Sequence, residues 1–310
     1  MEKQIICIGA ALVDELYAAT APMLLATTND ATVHRSAGGV SRNIAHQLAL
    51  LGLPVQLISV FGNDGEGDWL KTICDYTNIK LDAAITTHSL TGKYTGILNF
   101  DGSLFTALIT NAELELITPE HLQKHQTLLL NAAYIIVDAN ISVATISWLA
   151  AFCFNNNIPF IIEPVSVPPA AKLCKVDLKG VYMLTPNEDE LPALCTSKHY
   201  TTVAQQATEL LNRGAEKIWL HNGAAGSTLF TKEKTVRLAA PKVLEVKDCT
   251  GAGDGSLSGF ILAQYLGKSD EESLKLAHTL SAEILQVNGA IATHIKQEDL
   301  LNLVQKYYPN

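Results

Sequence analysis

Short apolar runs alternate with amphipathic stretches along almost the whole of this 310-residue chain. The apolar runs are typical of buried strands and lie at residues 5–8, 55–60, 134–137, 160–162, 181–184 and 218–220. The amphipathic stretches are typical of helices and lie at residues 42–51, 68–76, 143–154, 203–212 and 271–286. This order predicts an α/β fold whose central sheet is mostly parallel and carries helices on both faces. Ligands are then expected at the carboxyl ends of the strands.

Two segments interrupt the alternation. Residues 91–110 contain two strand-like runs separated by Asp101-Gly102, which is a strong signal for a β-hairpin. Residues 13–36 are less regular and could add strands to that hairpin. We expect these segments to form a small β-sheet that serves as a lid, as a dimer surface, or as both, and a surface hairpin without function is the alternative. No linker divides the remainder, so residues 1–310 are predicted to form one domain with an inserted lid.

The run from Thr250 to Leu257 places three small residues directly before an acid and then continues as a helix. Gly251, Ala252 and Gly253 would allow a ligand to approach the main chain, and a helix start offers free N–H groups to an anion. A carboxylate beside such an anion site has a use if it collects a proton, so Asp254 is interpreted as the base for an attacking hydroxyl. The alternative is an ordinary helix entry in which Asp254 caps the helix.

A second pair of glycines, Gly38 and Gly39, precedes a predicted helix in which Asn43 lies one turn from the start. Glycines would let a polar ligand lie against the main chain, while the Asn43 amide offers both a donor and an acceptor to a hydroxyl. Asp14 follows the first predicted strand and could accept two neighbouring sugar hydroxyls. The pattern favours sugar recognition, with a plain strand-to-helix turn and a loop acid as the alternatives.

Polar residues also follow two later strands. Asn187 and Glu190 are three residues apart and could hold water around a Mg²⁺ ion that mainly contacts nucleotide phosphates. Capping by Asn187 beside solvated acids is the competing interpretation. Gly223 and Gly226 follow the strand at residues 218–220 and could admit the ribose or phosphates of a nucleotide.

Composition excludes several classes of protein. Lys and Arg total 22 against 31 Asp and Glu, and the resulting net charge of −9 disfavours a nucleic-acid binder. The N-terminal residues do not have the pattern of a secretory signal, and no apolar run approaches the roughly 18 residues that span a membrane. The six cysteines form no Cys-x-x-Cys pair and are expected to be reduced. We therefore expect a cytoplasmic protein with no nucleic-acid or membrane partner.

Taken together, Gly38-Gly39 with Asn43, Asn187 with Glu190, and the run from Asp248 to Asp254 resemble the motifs of the ribokinase-like PfkB carbohydrate kinases. The resemblance extends over essentially the full chain. It implies a ribokinase-like α/β fold, ATP and Mg²⁺ as cofactors, and a β-sheet lid that frequently pairs subunits into homodimers. The site residues that it implies are Asp254 as general base, Gly251, Ala252 and Gly253 as anion hole, Asp14, Gly38, Gly39 and Asn43 for the sugar, and Asn187 and Glu190 for Mg²⁺. It also implies a monovalent cation, K⁺, near Asp248 and Thr250.

A narrower resemblance is to the pseudouridine kinases. It rests on residues 37–52, 137–142, 163–166 and 184–187. By this resemblance Asp138 and Asn140 meet the sugar or the base, although a helix-capping role is the alternative for Asn140. Cys249 departs from the usual Ser, Thr, Pro or Val of the family signature, and Glu163 replaces a frequent Asp.

The activity implied is transfer of the γ-phosphoryl group of ATP to the 5′-hydroxyl of a ribosyl nucleoside, with pseudouridine as the leading acceptor. Because the transition state of such a transfer is loose, Asp254 could act as an ordinary ionised carboxylate, and no raised pKa is required. Another sugar or nucleoside kinase, such as a ribokinase or an adenosine or inosine kinase, is the first alternative. A nucleoside-binding sensor without catalysis is the alternative from a different class.

Overall fold

A computed structural model describes residues 3–309. The strands in this part of the chain are β1 Gln4–Ile8, β2 Leu12–Ala19, β3 Ala31–Gly38, β4 Val55–Ile58, β5 Val60–Gly62, β6 Ile85–Thr87, β7 Lys93–Leu98, β8 Leu104–Thr110, β9 Ala132–Asp138, β10 Phe160–Glu163, β11 Val181–Leu184, β12 Lys217–His221, β13 Ser227–Phe230 and β14 Thr235–Leu238. The α-helices are α1 Val40–Leu50, α2 Gly65–Tyr76, α3 Pro119–Lys124, α4 Gln126–Leu130, α5 Val143–Asn156, α6 Val167–Lys172, α7 Leu191–Leu194, α8 Val203–Asn212, α9 Ala252–Tyr265, α10 Asp270–Ile284 and α11 Gln297–Tyr307.

The larger sheet has the strand order β14-β13-β12-β11-β10-β9-β1-β4. Its strands from β4 to β12 are parallel, while β13 and β14 are antiparallel additions at one edge. The predicted mostly parallel sheet is therefore confirmed. The two edge strands were not predicted, because runs of four residues beside a turn carry little periodic signal.

Both faces of this sheet are buried under helices. Along β1, Ile5 and Cys7 pack on one side with residues of α1, α9 and α10, whereas Ile6 and Ile8 pack on the other side with residues of α5. This alternation follows from the two-residue period of a strand, and it explains why all four side chains are apolar. Helices on both faces leave the strand ends as the place where polar side chains can gather.

A second sheet has the order β3-β2-β7-β8 and projects from the first. Strands β7 and β8 form the predicted hairpin, which turns at Asp101 and Gly102. Asp14, Tyr94 and Ile109 are directly paired across β2, β7 and β8, so they share one face of this sheet. Leu108 is paired with Thr95 on the opposite face. Exposed apolar side chains are concentrated on β8 and are Leu104, Phe105, Leu108 and Ile109.

Ion pairs tie the second sheet to helix α2. Glu66 in the first turn of α2 lies 2.5 Å from Arg35 on β3 and 3.0 Å from Lys93 on β7. Lys93 also lies 3.0 Å from Glu15 on β2. Two strands of the sheet, β3 and β7, are thus joined to α2 by ion pairs, and β2 joins the same network through Glu15. Within residues 3–309, no helix is long and apolar enough to cross a membrane.

Candidate active site

The two glycine-rich segments of the sequence meet at the carboxyl ends of the central strands. Asn43 in the first turn of α1 donates from Nδ2 to Asp254 Oδ2 in the first turn of α9 over 2.7 Å, although the two residues are 211 positions apart. Helices α1 and α9 pack against each other, which holds these two N-terminal turns side by side. The structure therefore brings the predicted sugar-binding amide and the predicted base into direct contact.

The N-terminus of α9 leaves room for a ligand. Gly251 precedes the helix with φ 75°, a left-handed conformation that favours glycine, and a Cβ there would overlap Ala290. Gly253 is exposed and has no atom within 4 Å of the position of a Cβ. Gly251 has no side chain that could cap the helix, and within residues 3–309 the Ala252 N–H makes only a long bond, of 3.4 Å, to Cys249 O. The first N–H groups of α9 are thus open to an anion.

The pKa of the Asp254 carboxyl group is raised well above its usual value. Burial raises its pKa to about 7, although the hydrogen bond from Asn43 and the charge of Arg42 act in the opposite direction. The sequence analysis did not predict this raised pKa, because a base for a loose phosphoryl-transfer transition state needs no such shift.

Asp14 and the glycine pair lie together as the sequence analysis expects. Gly38 is buried against Asp14, and a Cβ at Gly38 would overlap the Asp14 carboxylate. Gly39 has φ 95°, and a Cβ there would overlap the carbonyl oxygen of Ala10. Burial raises the pKa of Asp14 to about 6, with Arg42 acting to lower it. Glycine is required at both positions because backbone and carboxylate occupy the space of a side chain.

Asp138 is bonded to three main-chain N–H groups. Its side chain is fully buried, Oδ2 accepts from Ala10 N over 2.7 Å and from Ser41 N over 3.1 Å, and Oδ1 accepts from Asn140 N over 3.0 Å. The first two bonds fasten the end of β9 to the segment after β1 and to the start of α1, and the third holds the turn that follows β9. The carboxylate is therefore turned into the fold, where it positions these segments, and its predicted contact with the sugar or the base stays a prediction. Asn140 is half-buried and is not held inside in this way.

Asn187 and Glu190 bind each other. Asn187 donates from Nδ2 to Glu190 Oε1 over 2.9 Å and from its main chain to Oε2 over 3.0 Å. Asn187 Oδ1 also accepts from the N–H of Glu190, so the capping alternative is part of the observed arrangement. Glu190 is only 3% exposed, however, and its pKa is raised by burial, which does not fit a solvated surface acid. Both carboxylate oxygens of Glu190 thus accept hydrogen bonds from Asn187.

The segment that carries Gly223 and Gly226 lies next to Asn187. His221 and Asn187 are joined by an isolated β-bridge, and Asn222 donates to Glu188 over 2.9 Å. Gly223 is exposed with φ 54° and open space around it, whereas a Cβ at Gly226 would overlap the carbonyl oxygen of Leu238. The first glycine can therefore face a ligand, and the second serves the turn.

Asp248 and Thr250 lie before the anion site. Asp248 accepts from Thr250 N over 2.8 Å through Oδ1 and from Gly289 N over 2.9 Å through Oδ2. The carboxylate thus joins the loop before α9 to the loop after α10. In residues 3–309 no group of three or more His, Cys, Asp or Glu is arranged to hold a metal ion, so a cation here would need main-chain oxygens or ligand atoms as well.

Two residues of the site were not given a role by the sequence analysis. Glu163 at the end of β10 has a pKa raised well above its usual range by burial and by the nearby Glu190 charge, and it accepts a hydrogen bond from Thr185. Arg42 is 2% exposed and lies beside Asn43. The position of Arg42 among apolar residues of a helix could have indicated its role. No sequence pattern indicated that Glu163 would lie near Glu190.

Comparison with known proteins gives matches over most of the chain. The profile described as pfkB family carbohydrate kinase matches residues 2–297. An uncharacterised sugar kinase of Escherichia coli (strain K12) is 30% identical over 267 residues, which cover 84% of this chain and 72% of that protein. A pseudouridine kinase of the same organism is 27% identical over 308 residues, which cover 97% of this chain and 96% of that protein.

Comparison with solved structures gives a match over nearly the whole chain. The solved structure of Arabidopsis thaliana ribokinase complexed with ribose and ATP matches with a TM-score of 0.84 at 24% sequence identity, covering 98% of this chain and 99% of that chain. This likeness confirms the predicted ribokinase-like fold.

Replacement of Asp138 by Ala is expected to lower the free energy of unfolding by about 3 kcal/mol or more, because two buried main-chain N–H groups and one partly buried N–H group lose their acceptor. Urea unfolding followed by circular dichroism measures the change. Asp177→Ala, at an exposed position, is the control and should change stability by less than about 1 kcal/mol. Equal effects of the two replacements would contradict the positioning role of Asp138.

Proposed function

The chain belongs to the pfkB family of carbohydrate kinases and is a sugar or nucleoside kinase, and on that premise we propose that it phosphorylates the 5′-hydroxyl of a ribosyl nucleoside with ATP. The leading acceptor is pseudouridine. The observation that carries the proposal is the 2.7 Å bond between Asn43 and Asp254, because it puts an amide that can read a hydroxyl beside a carboxylate that can take its proton.

The acceptor hydroxyl would donate to the Asp254 carboxylate, whose Oδ2 is held by Asn43. As the hydroxyl oxygen bonds to the γ-phosphorus, the bond from that phosphorus to the β-phosphate oxygen breaks, and ADP leaves. The hydroxyl proton passes to Asp254 late in this step. A carboxyl pKa of about 7 is well matched to the task, since such a group takes a proton readily and also loses it again near neutral pH.

The main chain at the start of α9 would stabilise the transferred group. Gly251, Ala252 and Gly253 form the proposed anion hole, and the open space at Gly253 lets phosphate oxygens come close to the N–H groups. The same three residues carry no side-chain polar atom, so nothing but main chain faces the anion. The dipole of a 14-residue helix adds favourable potential at this end.

Mg²⁺ fits the chemistry of Asn187 and Glu190. A buried carboxylate with an amide beside it supplies the oxygen ligands that Mg²⁺ prefers, directly or through water. When bound with ATP, the ion would neutralise negative charge on the phosphates. K⁺ is proposed near Asp248 and Thr250, where a carboxylate joins two loops beside the anion hole.

Pseudouridine is proposed as the acceptor on two grounds. Asp14, Gly38, Gly39 and Asn43 would together contact adjacent sugar hydroxyls, and Asn140 follows β9, whose last residue, Asp138, is bonded to the start of α1. In addition, the pseudouridine kinase of E. coli aligns with nearly the whole chain. Ribose and other nucleosides would use the same Asp254, so a ribokinase or a different nucleoside kinase is the nearest alternative. A nucleoside sensor would have no use for the base and the anion hole together.

The second sheet is proposed to act as a lid of the single domain and as a dimer surface. The face that carries Asp14 and Ile109 would be directed to the acceptor, since Asp14 lies against Gly38. The opposite face carries Leu108, which is 67% exposed. One face would thus exclude water from the acceptor while the other pairs with a second copy.

An acceptor panel tests the proposed function. Purified protein is incubated with ATP, Mg²⁺ and each of pseudouridine, uridine, adenosine, inosine, ribose and fructose, and ADP release is followed. We expect the highest kcat/KM with pseudouridine and a 5′-phosphate as the product. Removal of Mg²⁺ by chelation should abolish release, and replacement of K⁺ by Na⁺ should lower it. A different best acceptor would favour the alternative kinases, and no release with any acceptor would favour the sensor.

Asp254→Asn is expected to lower kcat by roughly 10²- to 10⁴-fold, because the amide cannot accept the hydroxyl proton. The KM for ATP should change much less, since the main-chain anion hole is retained. Steady-state kinetics with the best acceptor measures both parameters. Asp177→Asn, at an exposed position outside the site, is the control. Near-normal turnover of Asp254→Asn would refute the role of general base.

Leu108→Asp is expected to convert a homodimer into a monomer, because a charge would enter the proposed apolar contact. Sedimentation equilibrium should give twice the chain mass of 33.4 kDa for the unmodified protein and the single mass for the variant. Tyr76→Asp, exposed at the end of α2, is the control. A monomeric unmodified protein would rule out the dimer surface.

A further inference from the structure

Arg42 is one of the largest fully enclosed side chains of the protein, at 2% exposure. Burial lowers its pKa to about 10, so the guanidinium still carries its charge at neutral pH. No ion pair within 4.0 Å joins it to a carboxylate of residues 3–309. Burying a charge lowers the free energy of unfolding unless hydrogen bonds compensate for the lost solvation. The hydrogen bonds of Arg42 therefore indicate its role.

The guanidinium donates in three directions. Nε donates to Gly38 O over 3.2 Å, one terminal nitrogen lies 3.1 Å from His46 Nδ1, and the other donates to Ala37 O and to Asn43 Oδ1. Arg42 therefore joins the end of β3, the glycine pair and the Asn43 amide in one network.

The bond to Asn43 determines which way that amide points. Arg42 has only donors, and ionised Asp254 has only acceptors. The Asn43 amide lies between them, and its one orientation that satisfies both neighbours presents Oδ1 to Arg42 and Nδ2 to Asp254. Rotation of the amide by 180° would set donor against donor and acceptor against acceptor. Asn43 is 5% exposed, so no solvent would compensate for that loss.

We propose that Arg42 is a positioning residue for the phosphoryl transfer: by locking the Asn43 amide, it makes this amide a permanent hydrogen-bond donor to Asp254. The inference rests on the proposed function of Asp254. A donor held in this way favours the ionised carboxylate before the transfer. After the transfer it disfavours the protonated acid, and so it promotes the return of the proton to solvent.

Several other charged or titratable groups face Asp254 and Arg42. Asp14 on β2, Asp138 at the end of β9 and Glu163 at the end of β10 interact with Asp254. His46 and Cys74 interact with Arg42 and stay uncharged near neutral pH, because burial brings the pKa of His46 down to about 4 and raises that of Cys74 to about 11. Lys296 acts on His46 alone.

The sign of the expected effect follows from these groups. Arg42 and Asn43 both act to lower the pKa of Asp254 against its burial. Loss of Arg42 removes its charge and frees the amide to rotate, so the pKa of Asp254 should rise further. Because the base must be ionised, the acidic limb of kcat/KM should then move to higher pH.

The test compares the unmodified protein with Arg42→Met. Carboxyl-carbon NMR titration in the absence of substrate, with Asp254→Asn used to assign the resonance, should show the Asp254 pKa raised by about one unit. The acidic limb of kcat/KM for the best acceptor should move by the same amount, with turnover about tenfold lower at pH values below the limb. The KM for ATP should change little.

Arg213→Met is the matched control. Arg213 is also largely enclosed and donates to the carbonyl oxygens of four residues, but it does not contact Asn43 or Asp254. Its loss should lower stability and leave the Asp254 titration unchanged. If Arg42→Met does not fold, Arg42→Lys keeps a cation without the forked geometry and should give a smaller shift in the same direction.

A folded Arg42 variant whose Asp254 titrates as in the unmodified protein would overturn the inference. A shifted titration without turnover on any acceptor would instead leave the positioning of Asp254 intact and remove the proposed kinase chemistry. The two failures are thus told apart, because the NMR measurement needs no substrate.

Discussion

The hydrogen bond between Asn43 and Asp254 is the contact on which the functional interpretation depends. It crosses 211 residues of sequence and joins the first turns of two helices that pack side by side. Each partner alone would be an ordinary polar residue near a helix start. In the proposed function, Asn43 binds the acceptor hydroxyl and Asp254 takes its proton, at the N-terminal end of a helix dipole. Gly38, Gly39 and Gly251 let neighbouring groups of the chain pack closely around them, and Gly253 has open space beside it.

The parallel sheet explains why such distant residues converge. Consecutive parallel strands all end at one edge, so Asp138, Glu163 and Asn187 follow β9, β10 and β11 to the same side of the molecule. What each residue then does depends on its depth. Asp138 is turned into the fold and fastens strand ends together, whereas Asn187 remains at the surface and holds the buried Glu190. A position at this edge of the sheet therefore does not by itself make a side chain accessible to a ligand.

The sequence predicted the fold well because periodicity and glycine turns are local signals. Strands such as Val181–Leu184 and the helix Val203–Asn212 were predicted with the bounds that the structure has, and the hairpin at Asp101 was confirmed. The sequence could not predict the three main-chain bonds of Asp138 or the amide orientation imposed by Arg42, since both depend on which groups meet after folding. The raised pKa of Asp254 was also beyond sequence reasoning, because it comes from burial.

The raised carboxyl pKa values have a further consequence for the fold itself. Asp14 and Asp254 have pKa values of about 6 and 7 in the folded chain against a usual value of 3.8, so folding takes up protons there between about pH 4 and pH 7. The contribution of these groups to stability is fully present below the unfolded value and is lost as the pH rises through the folded one. Above these pH values the two ionised carboxylates therefore lower the stability of the folded chain. A ligand that binds only the folded chain would offset this loss of stability, so ligand binding and folding are coupled.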